Sequence, residues 1–315
     1  MTKTYRIDVH HHLVPPFWAE ALSSHGGDPS GWPTPKWSVE ADLALMDTLD
    51  IGKALLSLTA PGVVGWQGPS MIEMARRVND YTAGIVQRHP ERFGNFATLP
   101  IGSLDSTLAE MEYALDTLGA EGVVLLSNYD GVYLGDPRFE QVWQELDRRG
   151  AVVFLHPTMP KIDLIPGVPG PLLDYPFDTT RTAMSMLANG TMTRFTNVKV
   201  ILSHAGGFLP YGAYRFASGI AALQPDRTAV SVVDEMKRFY FDTALSSSPS
   251  ALPCLLEFAK PGHVLFGSDI PYLKEAGVKW FTRKLDDHPG LAADQLNAIN
   301  RNNAEALWLD AIVGT

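Results

Sequence analysis

Residues 5–12 read Tyr5-Arg6-Ile7-Asp8-Val9-His10-His11-His12. The short run Tyr5–Val9 marks a strand, and what ends it separates two architectures. An open, doubly wound sheet usually turns from its first strand into a glycine-rich phosphate loop. Here the strand ends in three histidines. A closed (β/α)8 TIM-type barrel, whose strand ends converge on one mouth, is the better expectation.

Seven more β-rich runs follow: Lys53–Leu58, Phe93–Leu99, Gly122–Leu126, Ala151–Leu155, Val198–Leu202, Phe239–Phe241 and His263–Phe266. Most are continuously apolar, as parallel strands covered on both faces should be. Helical patterns separate them. Ser38 is placed to cap one, with Glu40 and Asp42 in its first turn. Pro69 opens another toward Arg88, Ser103 or Asp105 caps a third ending at Gly119, and Pro137 starts a fourth that stops at Gly150. Later helices are expected over 177–195, 206–222, 249–259 and 294–309. Eight such units suit a single barrel domain over residues 1–315, which no linker divides. The irregular, proline-rich stretches 15–37 and 157–176 read as long loops after strands one and five, on the same face.

Acidic residues outnumber basic ones by 35 to 25, giving a net charge of −10. That surface repels phosphate, so neither nucleic acid nor an anionic membrane is expected as a partner. No run approaches the length of a membrane span, and the start lacks a signal-peptide core. The lone cysteine, Cys254, points to a reducing compartment. A cytoplasmic protein is expected.

In a strand, His10 and His12 point the same way, and His11 points opposite. His156 ends Val152-Val153-Phe154-Leu155, His204 lies in Ser203-His204-Ala205-Gly206-Gly207, and Asp269 lies in Gly267-Ser268-Asp269-Ile270-Pro271. Each alone has a bland explanation: a solvated strand end, a structural histidine, a helix cap. Together they terminate strands one, five, six and eight, which meet at one mouth of a barrel. One metal site accounts for all five better than five separate accidents. His25 could approach that mouth from the first loop, whereas His89, His263 and His288 read as structural. Asp8 is expected to support the first strand's histidines, and Asp242 either supports the site or caps a turn.

These segments, with Arg92-Phe93-Gly94 and Thr98-Leu99-Pro100, resemble the decarboxylase branch of the amidohydrolase superfamily over nearly the whole chain. That branch includes aminocarboxymuconate-semialdehyde, γ-resorcylate and 6-methylsalicylate decarboxylases. The resemblance implies His10, His12, His156 and Asp269 as metal ligands and His204 as catalytic acid/base. It also implies that Arg215, on the helix after His204, reaches a substrate carboxylate across a homodimer interface. One feature departs from the branch. The muconate enzyme has a carboxylate-binding arginine in its first insertion, and residues 13–52 here contain none. Phe17, Trp32 and Trp37 occupy that insertion instead, and are expected to wall a pocket for a planar ring.

The function these features suggest is nonoxidative decarboxylation of a small aromatic, ortho-hydroxybenzoate-like or related unsaturated acid. His204 or Asp269 would deliver a proton to the ring carbon before CO2 leaves. One divalent ion is expected, zinc by its three nitrogens and one carboxylate, with manganese as the alternative. No organic cofactor is expected, because no dinucleotide turn or P-loop is present. A metal-dependent lactone or ester hydrolase would use the same ligands. A noncatalytic metal scaffold would have no use for His204 beyond the four ligands.

Overall fold

The apolar runs pair side by side as eight parallel strands: β1 (Arg6–Leu13), β2 (Ile51–Leu58), β3 (Phe93–Thr98), β4 (Gly122–Leu126), β5 (Val152–His156), β6 (Lys199–Leu202), β7 (Tyr240–Asp242) and β8 (Val264–Leu265). The computed structural model describes residues 5–313, with side chains through 308. Sheet order follows chain order, and helices fill the crossovers, as in a (β/α)8 barrel. Three backbone hydrogen bonds join the last strand to the first. Val9 N–H donates to Phe266 O at 3.0 Å, Asp269 N–H to His10 O at 2.9 Å, and His12 N–H to Ile270 O at 2.7 Å.

Alternation along each strand explains the two cores. Val9, Leu55, Phe96, Phe154, Ile201 and Leu265 point inward and pack on one another. Their neighbours point outward and meet the helices through Met46, Ile85, Leu146 and Met186. Ala304 and Leu307, from the final helix, join the inner cluster and plug its base. Open space is therefore left at the opposite end, where the histidines are. Phe154 marks the floor of that end, its ring centroid 5.0 Å from that of His10.

Several boundaries differ from the sequence-based expectation for physical reasons. β1 continues through the histidines because β2 keeps pairing with it, His12 opposite Ser57 and Leu13 opposite Leu58. The second long loop ends sooner than expected, at a helix spanning Gly170–Ala188. Pro171 suits that helix's first turn, where no amide hydrogen is needed, and Pro176 is carried inside it. The first long segment contains a short helix, Pro16–Leu22. Two helices were not anticipated: Ala229–Met236, started by a Thr228–Ser231 capping box, and Glu275–Asp286. Ser38 does cap its helix, accepting from Ala41 N–H at 3.2 Å.

Candidate metal centre and active site

Strand alternation delivers His10 and His12 to the mouth together, and their Nε2 atoms lie 3.1 Å apart. Asp269 Oδ1 sits 3.3 Å from each of those nitrogens. With His156, one donor atom from each of the four side chains falls within 4.8 Å of all the others. Four donors at bonds of ~2.0–2.1 Å in a tetrahedron stand about 3.3 Å apart, so the spacing of His10, His12 and Asp269 fits one ion, with His156 near enough to close on it by a small shift.

The remaining ring nitrogens are already committed. His10 Nδ1 lies 2.8 Å from Asp242 Oδ2, His12 Nδ1 3.1 Å from Ser57 Oγ, and His156 Nδ1 2.8 Å from Pro157 O. The carboxylate and the carbonyl require an Nδ1 proton from His10 and His156, which leaves Nε2 with its lone pair for a metal. The donor set fits a divalent cation.

Electrostatics agree with the geometry. Burial disfavours charge on His10, yet Asp242 and Asp269 hold its pKa up at about 10. Burial lowers His12, and burial with the neighbouring imidazoles drives His156 well below the usual histidine range. Burial also opposes the Asp269 charge, but His10, His12 and His204 together outweigh it and keep that carboxyl well below its ordinary range. Asp242 and Asp269 thus call for positive charge at the cluster, held as a proton on His10. A cation bound there would take the place of that proton, since a ligating imidazole must be neutral.

Backbone geometry aims the side chains. His204, Ala205 and Asp269 have φ of 52°, 56° and 62°, a left-handed conformation that non-glycine residues hold at a cost of order 1–3 kcal/mol each. His204 Nε2 lies 3.5 Å from Asp269 Oδ2, while its buried Nδ1 has no hydrogen-bond partner. Gly267 lets this corner close, since a Cβ there would stand 2.9 Å from His10 Cβ and 3.0 Å from Asp242 Cβ.

An amidohydrolase family profile matches residues 7–309, nearly all of the described chain. The chain belongs to the amidohydrolase family. It is 42% identical over 301 residues to the 6-methylsalicylic acid decarboxylase of Aspergillus aculeatus, covering 92% of this chain and 91% of that one. The crystal structure of an amidohydrolase II superposes with a TM-score of 0.91 at 38% identity, covering 96% of this chain and 99% of that one. A Polaromonas dihydroxybenzoic acid decarboxylase with bound manganese shares the fold, with a TM-score of 0.79, 22% identity and 97% of each chain covered.

In this amidohydrolase, a cavity of about 170 Å³ opens over the cluster, with His156, His204 and Asp269 in its lining. An apolar cavity of about 150 Å³ holds benzene, so the space suits one substituted ring. Trp32 lines it, as expected, joined by Leu172, Tyr175 and Tyr272. Phe17 and Trp37 are not among its lining residues. Phe17 packs edge-on against Tyr81 beneath the Arg77 guanidinium, and Trp37 packs against the helix-side core. A larger cavity of about 480 Å³ is lined largely by apolar residues beneath the loops after β2–β4, but none of the four metal donors reaches it.

Arg215 is exposed on the helix Leu209–Leu223, beside exposed Tyr211 and Tyr214. His25 stacks on Trp66, centroids 4.4 Å apart, and does not line the cavity. His11 faces away from His10 and His12 and is buried between Asp8 and Asp42, at 2.9 and 3.0 Å. Asp8 also accepts from the His10 and Ser268 amides, each at 3.1 Å, tying β1 to the segment bearing Asp269. Asp242 fills both roles considered for it: it touches His10 and accepts from the Ala244 amide at 2.9 Å. Asp28, Tyr175 and Tyr272 were not singled out from sequence, yet all three line the cavity.

Proposed function

We propose that the chain is a metal-dependent, nonoxidative decarboxylase of a small ortho-hydroxybenzoate-like acid, a carbon–carbon lyase. The observation that carries this reading is one cavity, sized for a single ring, with metal donors and a spare histidine in its lining. The Aspergillus relative named as a 6-methylsalicylic acid decarboxylase supports the substrate class.

His10, His12, His156 and Asp269 would hold the ion. When bound, it supplies Lewis acidity that orients a carboxylate beside an ortho hydroxyl and stabilises developing charge. Three nitrogens and one carboxylate favour zinc, and the Polaromonas neighbour supports manganese as the alternative. No other cofactor is invoked.

Asp269 turns Oδ1 toward His10 and His12 and Oδ2 toward His204. His204 and Asp269 therefore form a pair on which a proton is held and passed to the ring carbon bearing the carboxylate. A C–H bond forms there, the C–C bond to the carboxylate breaks, and its electron pair returns to the ring as CO2 leaves. The aromatic walls keep water from the reacting carbon. We further propose a homodimer in which Arg215 reaches the partner's cavity, supported by its exposure beside Tyr211 and Tyr214, 88% and 71% exposed. A cytoplasmic location is supported by the single cysteine.

The test is CO2 release from a panel of ortho-hydroxybenzoates by chelator-stripped protein, before and after adding zinc or manganese. Metal-dependent CO2 release supports the reading. Acid release from lactones with no CO2 from any benzoate overturns it in favour of a hydrolase.

A further inference from the structure

The cavity assigned to an anionic substrate carries a second carboxylate that the metal centre does not use. Asp28, in the loop after β1, is half-buried and lines the same cavity as His156, His204 and Asp269. Its Oδ1 accepts the Ser30 amide at 2.8 Å, and among the described residues it has no ion-pair partner. Tyr175 and Tyr272 line the cavity with Asp28 and Asp269. The Tyr272 hydroxyl is buried beside Thr59 without a hydrogen-bond partner.

Charge then fixes which way a ring enters. A substrate carboxylate is repelled at Asp28 and drawn to the end where His10, His12, His156 and Asp269 would hold a cation. The far edge of the ring is left facing Asp28, and an ionised carboxylate can only accept hydrogen bonds. We propose that Asp28 is a specificity-determining residue that accepts a hydrogen bond from a second donor, a hydroxyl or amino group, on the ring edge remote from the substrate's carboxylate. This rests on the decarboxylase reading and narrows its substrate class. A ring with an ether or alkyl group at that edge leaves a half-buried charge facing no donor.

The experiment uses the full-length, metal-loaded protein and 2-hydroxybenzoates carrying hydroxyl, amino or methoxy groups at positions 4 or 5. In the wild type, kcat/KM is expected to favour hydroxyl or amino over methoxy by at least about tenfold, since hydrogen bonds to charged groups are the stronger kind. Asp28→Asn, whose amide can also donate, should bring that ratio to within about threefold. A wild-type preference below threefold, or the same ratio in both proteins, overturns the proposal. If no compound loses CO2, the decarboxylase reading falls by itself. The donor ratio is then read from dissociation constants of the same acids by calorimetry, where a tenfold preference lost in Asp28→Asn supports Asp28 and equal binding overturns it.

Discussion

The Asp242 carboxylate lies 2.8 Å from His10 Nδ1, and both side chains are fully buried. Its other oxygen accepts the His204 amide at 2.9 Å. One carboxylate at the end of β7 therefore orients a metal donor and fixes the backbone of the proposed acid/base. Asp242→Asn would present an amide hydrogen to His10 Nδ1 and favour the wrong tautomer. Metal affinity is expected to fall about 10–100-fold, read by competition with a chromophoric chelator. Unchanged affinity would show that Asp242 does not set the His10 tautomer.

His204 is not one of the four donors: it lies 3.5 Å from Asp269 Oδ2, and its ring centroid is 4.8 Å from that of His10. His204→Ala should therefore retain bound metal while turnover falls by about 10²–10⁴-fold, the range for losing a general acid or base. Metal analysis and single-turnover kinetics measure the two separately. Full turnover on every active substrate would remove the acid/base role.

Arg215→Ala should weaken turnover if the exposed face of the helix Leu209–Leu223 is covered by a second copy. Mixing that variant with His204→Ala subunits should restore part of the activity, because a hybrid dimer then holds one complete site. Mixed samples no more active than either parent would place Arg215 outside the site.

Burial raises the Asp28 carboxyl above the ordinary aspartate range. Protonated, it can donate to a methoxy oxygen; ionised, it can only accept. The hydroxyl-over-methoxy ratio should therefore grow as pH rises through that raised pKa. Burial pushes Tyr175 and Tyr272 far up, so both stay protonated across this window. Asp269 and His156 share the cavity and act on both substrates, so any change in their charge cancels in the ratio. A ratio that stays flat between about pH 4 and 7 would show that Asp28 does not read the donor.

The parts legible in the sequence were those set by local periodicity. Two-residue alternation put His10 and His12 together and turned His11 away, and β1 holds that pattern. Eight apolar runs ending in polar residues gave the barrel and brought His156, His204 and Asp269 to one mouth. Direction within the first insertion was not legible. Phe17 lies on a short helix whose packing turns it toward Tyr81, and aromatic composition carries no such orientation. Asp28 was hidden because it sits between glycine and proline and bonds the amide two residues on, as any turn aspartate would. Tyr175 lay in a proline-rich stretch that read as loop, although two of those prolines sit within a helix.

The donors for the ion lie on both sides of the barrel's seam. His10 and His12 belong to the first strand, Asp269 follows the last, and three backbone hydrogen bonds join those two edges directly among the described residues. An ion held by these residues would be gripped from both sides of that seam. Binding to the folded form alone would then add to stability by mass action, so stripping the ion should lower the melting temperature as well as the activity.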